Sequence, residues 1–303
     1  MTPLAGQRPW LSGLLAVLMI SSALWGHYQL DFWYQGKVAT LPDDNGGDDP
    51  DLALPGNGDP DSDPDIQHPD EPKPPPLPDG PKLAIIIDDL GWDAEGTDLI
   101  LGLPFPLTMA VLPDGATTRS DVEAALDHGH EVFVHLPMEP LGGFRGLPRV
   151  VATDMDDEEI DQLVEAYLDQ IPEAVGVNNH MGSKATSDRR VAERVLRLVA
   201  ERELVFVDSR TWRGSVMCEV AAELGIPCAY NQVFLDNEKR LEAIIERLEE
   251  AARLAWEQGQ AVAIGHVHPV TAMALEQTLV QLVEDGIQLV FASQLTSQPE
   301  EKE

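Results

Sequence analysis

Five times in the C-terminal two thirds of this chain, a run of apolar, strand-forming residues ends abruptly in acids, histidines or amides. Leu83-Ala84-Ile85-Ile86-Ile87 stops at Asp88-Asp89, and Glu131-Val132-Phe133-Val134 stops at His135. Val175-Gly176-Val177 runs into Asn178-Asn179-His180, Leu204-Val205-Phe206-Val207 into Asp208-Ser209-Arg210, and Ala261-Val262-Ala263-Ile264-Gly265 into His266-Val267-His268. Runs this apolar are strands buried on both faces, and parallel strands bring all their C-terminal ends to one side. The pattern therefore predicts one mouth on which five polar clusters converge.

Helical stretches separate the runs, as right-handed βαβ crossovers require. The spacing predicts helices over 94–101, 120–128, 156–171, 188–202, 215–224, 238–258 and 271–285. Strands are expected at 83–87, 107–111, 131–136, 175–178, 204–207, 229–235, 261–265 and 287–291. Ser120 is expected to cap the second helix, with acids in its first turn complementing the helix dipole. Seven or eight mostly parallel strands make a distorted (β/α) barrel the expected closure of an α/β domain over 83–296. An open doubly wound sheet is the alternative, but no Gly-x-Gly-x-x-Gly follows the first strand. The loop 139–149, rich in Gly and Pro, is long enough to fold over the mouth.

Upstream of the domain, Trp10 through Trp25 is apolar apart from Ser and Gly, with Arg8 before it and acids after it. That asymmetry keeps the N-terminus in the cytoplasm and exports the remainder. Residues 1–32 are thus expected to be a membrane anchor or a signal segment. A Trp at each end and the lack of a small-x-small site after Ser21-Ser22-Ala23 favour the anchor. Residues 33–82, dominated by Asp, Pro and Gly, cannot offset their ordering entropy and read as a disordered acidic tether. A disordered tail is expected over 297–303.

The net charge is -33, from 20 Lys and Arg against 53 Asp and Glu, which rules against nucleic acid and anionic membrane surfaces as partners. Acids are not confined to the tether, so the domain itself is wrapped in carboxylates whose mutual repulsion added salt screens. Its melting temperature is expected to rise as sodium chloride is added; a flat or falling thermal-denaturation series contradicts this reading. Export also permits Cys218 and Cys228 to pair and staple helix 215–224 to the next strand, two buried thiols being the alternative.

The polar clusters suggest a division of labour. Of the adjacent Asp88 and Asp89, one carboxylate can ligate a divalent ion while the other takes a proton from an attacking water; capping the helix after Gly91 is the structural alternative. His135 and His180, with one carboxylate, make the facial three-ligand set of an open catalytic zinc site. His266 and His268 face the same side if their strand stays regular, and one is a candidate general acid for an oxygen or nitrogen leaving group. Arg210, beside Ser209, is placed to meet an anion or a sugar, or else pairs with Asp208. Asn179 either orients a ligand or substrate amide or braces its loop. Glu139, four residues after His135, reaches the same ion or binds substrate. Asp236 either caps helix 238–258, the favoured reading, or is an acid standing behind the site residues.

Leu83 to Gly91, Gly129-His130-Glu131 through His135, and Ala263-Ile264-Gly265-His266 resemble the first, second and last motifs of polysaccharide deacetylases of the NodB-homology type. His135-Leu136-Pro137-Met138-Glu139-Pro140, Asn178 to Ser183, Asp208-Ser209-Arg210-Thr211 and Gly265-His266-Val267-His268-Pro269 are similar to their divergent branch, the YibQ-like proteins of bacterial envelopes. The resemblance implies a NodB-like distorted barrel, a zinc-type divalent ion and removal of acetyl groups from N-acetylated sugars. Carried over residue by residue, it implies Asp88 as base, Asp89 and His135 as ligands and His266 as acid. Where that pattern has a second histidine this chain has Glu139, and an Arg-x-Pro-Tyr segment is missing. His180, from a neighbouring strand end, is the expected replacement ligand.

The leading expectation is a metal-dependent deacetylase of peptidoglycan or another periplasmic polysaccharide, held at the inner membrane by its N-terminus. Second comes a non-catalytic glycan-binding or cell-wall-regulating module on the same barrel. Third is a metal hydrolase of an ester or glycosidic link.

Overall fold

The computed structural model describes residues 80–143 and 149–296. The expected anchor, the tail, the tether apart from its last three residues, and the centre of loop 139–149 lie outside the described residues. Among the described residues, no helix is long and apolar enough to cross a membrane.

The chain alternates as its sequence requires. Strands β1 (Lys82–Leu90), β2 (Thr108–Val111), β3 (Glu131–Met138), β4 (Gly176–Met181) and β5 (Val205–Asp208) are separated by α1 (Thr97–Leu101), α2 (Thr118–Asp127), α3 (Asp157–Leu168) and α4 (Arg189–Glu201). Then come α5 (Met217–Leu224), β6 (Cys228–Tyr230), β7 (Val233–Phe234), α6 (Leu241–Gln258), β8 (Gln260–His266), α7 (Pro269–Glu284) and β9 (Gln288–Val290). Local chemistry sets the ends. Asp156 and Glu159 form a reciprocal capping box at α3, Asp188 accepts from the Val191 N–H at α4, and Pro269 opens α7 where its missing N–H costs nothing. At α2 the expected Ser120 cap is absent. The helix starts at Thr118, and Ser120 Oγ donates instead to the Thr117 carbonyl. Asp121 in the first turn accepts from Gly91 N at 2.8 Å and from Thr117 Oγ1 at 2.9 Å, fastening α2 to the chain leaving β1.

All ladders are parallel, in the order β6-β5-β4-β3-β2-β1-β8-β7, with β9 pairing the N-terminal half of β1 beside β2. This is the expected distorted (β/α) barrel, curled and open at one seam. The single strand expected at 229–235 is two short ones because the backbone changes partner there. Asn231 N donates to Asp208 O on β5, whereas Gln232 N donates to Val262 O on β8. The Gln232 side chain also accepts from Val262 N, filling a ladder position at the seam. Cys218 on α5 and Cys228 on β6 are joined in a disulfide, which decides between the two sequence alternatives.

Alternation along the strands separates two cores. The larger lies between the sheet and its helices and includes Ile85, Ile87, Val132, Val134, Val177 and Phe206. The smaller fills the barrel, with Ala84 and Ile86 of β1, Phe133 of β3, Val207 of β5, and Val262 and Ile264 of β8, closed below by Ala292 and Leu295. Space there is tight. A Cβ on Gly176 of β4 would stand 2.5 Å from the Phe133 ring and 2.8 Å from Val205 Cγ2. Gly176→Ala is therefore expected to cost about 1–3 kcal/mol by overpacking, read by urea denaturation.

Candidate metal and acid–base site

Period-two alternation carries the interior face from apolar to polar at the C-terminal ends. Two residues beyond Ile86, Phe133, Gly176 and Ile264 stand Asp88, His135, Asn178 and His266, and two beyond Asn178 stands His180. Asp88 is in register with His266 across β1 and β8, and His135 with Asn178 across β3 and β4. Between these pairs β2 contributes the small Ala110 to the interior.

Asp89 should face outward by this rule, yet it faces the mouth. Its φ is +70°, and β1 slips by one residue against β2 between Ile87 and Leu90, the signature of a bulge. Aspartate tolerates this left-handed conformation better than most residues. The bulge thus lets two adjacent carboxylates serve one site.

Three ligand-type atoms meet there. His180 Nδ1 is 3.0 Å from Asp89 Oδ1 and 3.1 Å from His135 Nε2, and His135 Nε2 is 3.4 Å from Asp89 Oδ1. A tetrahedral ion with bonds of about 2.0–2.1 Å sets its ligand atoms roughly 3.3–3.4 Å apart, and an octahedral one somewhat less. The triangle therefore fits one face of a divalent ion, and Asp89, His135 and His180 are the residues that would hold it. Burial opposes the Asp89 charge, but the neighbouring His135 and His180 imidazoles outweigh it and hold the carboxyl well below the usual range.

Asn178, not expected as a site residue, organises this cluster. Its Oδ1 lies 2.9 Å from His135 Nδ1, and its Nδ2 donates to Asp88 Oδ1 at 2.7 Å. A donor Nδ1–H leaves the His135 Nε2 lone pair free to face the triangle. Asp88 Oδ2 sits 3.6 Å from that Nε2. Burial pushes the Asp88 carboxyl up, partly offset by His135 and His266, which strengthens it as a base.

Opposite stands His266, whose Nδ1 is 2.7 Å from Asp236 Oδ1. Asp236 is not the helix cap favoured from sequence but follows the other alternative, an acid standing behind a site residue. Its Oδ2 accepts from His266 N at 2.6 Å and from Thr271 Oγ1 at 2.7 Å, whereas α6 begins only at Leu241 after an Arg240 that makes no side-chain cap. These donors surround the carboxylate over Gly265, where an added Cβ would meet Thr271 Cγ2 at 3.0 Å. Burial alone would depress the His266 pKa, but the bond to Asp236 and the nearby Asp88 and Asp89 carboxylates push it up to about 9. A raised histidine pKa stabilises the fold fully below the ordinary 6.5, and that contribution is lost as pH climbs through about 9. Asp236→Asn is expected to lower the His266 pKa from about 9, read by NMR titration of the ring, and to shrink this alkaline loss of stability, the Asp88 and Asp89 carboxylates keeping the rest.

The remaining expected site residues divide differently. His268 does not continue a regular strand, because β8 stops at His266; it precedes α7 and stacks on the His266 ring at 6.0 Å. Glu139 stays outside the ligand triangle. Its carboxylate accepts from Thr153 N and Oγ1 and from Lys184 Nζ, clasping the chain after β3 to the turn after β4. Asn179, one residue out of phase with Asn178, braces its loop, accepting from Ser209 N and donating to Met181 O, and is buried. Ser209 is buried behind Asn178, 3.3 Å from its Nδ2. Arg210 is exposed and makes no ion pair with Asp208, whose carboxylate accepts instead from the Arg210 backbone N–H.

The model of the divergent polysaccharide deacetylases matches residues 85–296, from the strand bearing Asp88 to the turn that plugs the barrel. The chain belongs to the divergent polysaccharide deacetylase family. It is 36% identical over 219 residues to the uncharacterized protein YibQ of Escherichia coli K12, covering 72% of this chain and 68% of that protein. An uncharacterized protein of Haemophilus influenzae Rd is 32% identical over 209 residues, covering 69% of this chain and 74% of its own. Among solved structures, an uncharacterized protein of Agrobacterium tumefaciens C58 superposes with a TM-score of 0.69 at 24% identity, covering 72% of this chain and 89% of that one. The divergent deacetylase barrel of this chain is thus a fold already seen in a crystal.

Proposed function

We propose that this chain removes acetyl groups from an N-acetylated envelope polysaccharide, using a divalent ion held by Asp89, His135 and His180. One observation carries the reading: a buried base, a three-atom ligand face and a carboxylate-backed imidazole meet at one barrel mouth. The ion, when bound, supplies Lewis-acid polarisation of the amide carbonyl, and zinc suits two imidazoles and a carboxylate. Asp88 takes the proton of the attacking water as its oxygen bonds to the acetyl carbon. His266, held protonated by Asp236, gives its proton to the nitrogen as the carbon–nitrogen bond breaks, releasing acetate and an amine.

Support for a sugar substrate comes from exposed aromatic side chains just beyond the strand ends. Trp92 follows β1 and Trp212 follows β5, each offering an apolar surface to a pyranose ring. The disulfide favours an oxidising compartment, and the Arg8-to-Trp25 pattern favours a periplasmic domain anchored in the inner membrane.

The test is acetate release from peptidoglycan and from N-acetylated oligosaccharides by the purified, zinc-loaded protein. Release that stops on chelation and returns with added ion is expected. No release with any divalent ion, together with muropeptide affinity that survives chelation, would leave the mouth as a binding groove only.

A further inference from the structure

Beside the mouth runs a groove of about 550 Å³ along the barrel seam, walled by Arg210, Arg213, Tyr230, Gln232 and Phe234. It adjoins the proposed acid directly, because the Phe234 ring lies nearly parallel to that of His266 with centroids 6.4 Å apart. Its charge is out of keeping with the rest of the protein. Every other described arginine lies within salt-bridge distance of an aspartate or glutamate. Arg210 and Arg213 are the exceptions among the described residues, and both face this groove. In a chain of net charge -33, two neighbouring arginines that form no salt bridge among the described residues mark a place kept for an outside anion.

Arg210 is also held ready. Its φ is +51°, and the Asp208 carboxylate anchors its backbone N–H at 2.8 Å, fixing a turn that lays the side chain over the end of β6. There the guanidinium carbon stands 3.8 Å over the Tyr230 ring centroid. Stacking occupies the face of a guanidinium and leaves its N–H edge free for a bidentate oxyanion.

We infer that Arg210 and Arg213 form a subsite for an oxyanion carried by the glycan, a sugar carboxylate or a phosphate, seated next to the N-acetyl group to be cleaved. The inference rests on the glycan reading of the mouth and names the class of glycan: an acidic one. Charge-assisted hydrogen bonds of this kind are worth about 1.5–3 kcal/mol, roughly 10–100-fold in affinity.

Calorimetry on the full-length, zinc-loaded Asp88→Asn protein, in which turnover is stopped, tests it. The probes are the N-acetylglucosamine–N-acetylmuramic acid disaccharide, its neutral carboxamide, chitobiose, and chitobiose 1-phosphate. The carboxylate or the phosphate probe is expected to bind about 10–100-fold more tightly than its neutral counterpart, and which of them does so identifies the anion. Added Arg210→Gln or Arg213→Gln should erase that preference while leaving the melting temperature and chitobiose affinity in place, and Arg210→Lys should keep part of it. Equal affinity for charged and neutral probes, or a preference indifferent to both arginines, overturns the subsite. An intact preference in a protein that never releases acetate would sink the hydrolase reading and spare the subsite. Acetate release from a protein indifferent to ligand charge would do the reverse.

Discussion

Asp88→Asn is expected to lower the proposed acetate release by about 10²–10⁴-fold, the contribution of a positioned general base, and to leave metal content and fold as in the parent. The substitution is close to isosteric. The new side-chain oxygen can still accept from Asn178 Nδ2, as Asp88 Oδ1 does at 2.7 Å, so the relay to His135 survives. What disappears is the ability to take a proton. The effect on stability has its own sign. Burial raises the Asp88 pKa above 3.8, so the folded state binds the proton more tightly than the unfolded chain, and stability falls as pH rises from 3.8 through the raised value. Above that value the cost of the buried charge is complete, and the amide removes it. Asp88→Asn is therefore expected to melt no lower than the parent at neutral pH, which separates lost chemistry from lost fold. Acetate assays beside thermal melts and elemental analysis check all three. Activity retained within about tenfold would move the base elsewhere.

Much of this site was legible because strand parity is a strong constraint. Once Ile86, Phe133 and Ile264 are interior, Asp88, His135 and His266 must be as well, and runs of Ile and Val advertise such strands plainly. Three features were hidden, each for a physical reason. The turn of Asp89 toward the mouth depends on a bulge, which arises from pairing with β2 and leaves no mark in the pattern of β1 itself. Asn178 gains its importance only from the register that sets it beside His135, and cross-strand register is not a local property. Asp236 precedes a helix, so its position favours capping over a place behind the site. The open face over Gly265 and three donors from β8 and α7 draw it the other way. The same parity rule explains why Asn179, out of phase with Asn178, does not line the mouth surface; Ser209, two residues beyond the interior Val207, is in phase but buried behind Asn178.

The departure at Glu139 makes the third ligand the decisive residue. Four positions past His135, the chain has already left β3 and is held by Thr153 and Lys184, so the Glu139 carboxylate is committed to the loop. His180 arrives instead from β4, its Nδ1 within 3.1 Å of both partner atoms, and its side chain is mostly shielded from water. Its removal leaves a carboxylate and one imidazole, too few for a tightly held ion. Partners of metal ligands that never touch the metal typically cost about 10–100-fold in affinity when lost, and Asn178→Ala is expected to fall in that range. His180→Ala and His135→Ala must exceed it, giving proteins that lose zinc on dialysis while keeping their near-native circular dichroism. Glu139→Ala should keep its zinc and lose only loop order, seen as faster proteolysis between β3 and α3. The reverse result, with zinc lost from Glu139→Ala and kept by His180→Ala, would return the third ligand to the position four residues after His135. His180 would then be only a hydrogen-bond partner of the other two ligands.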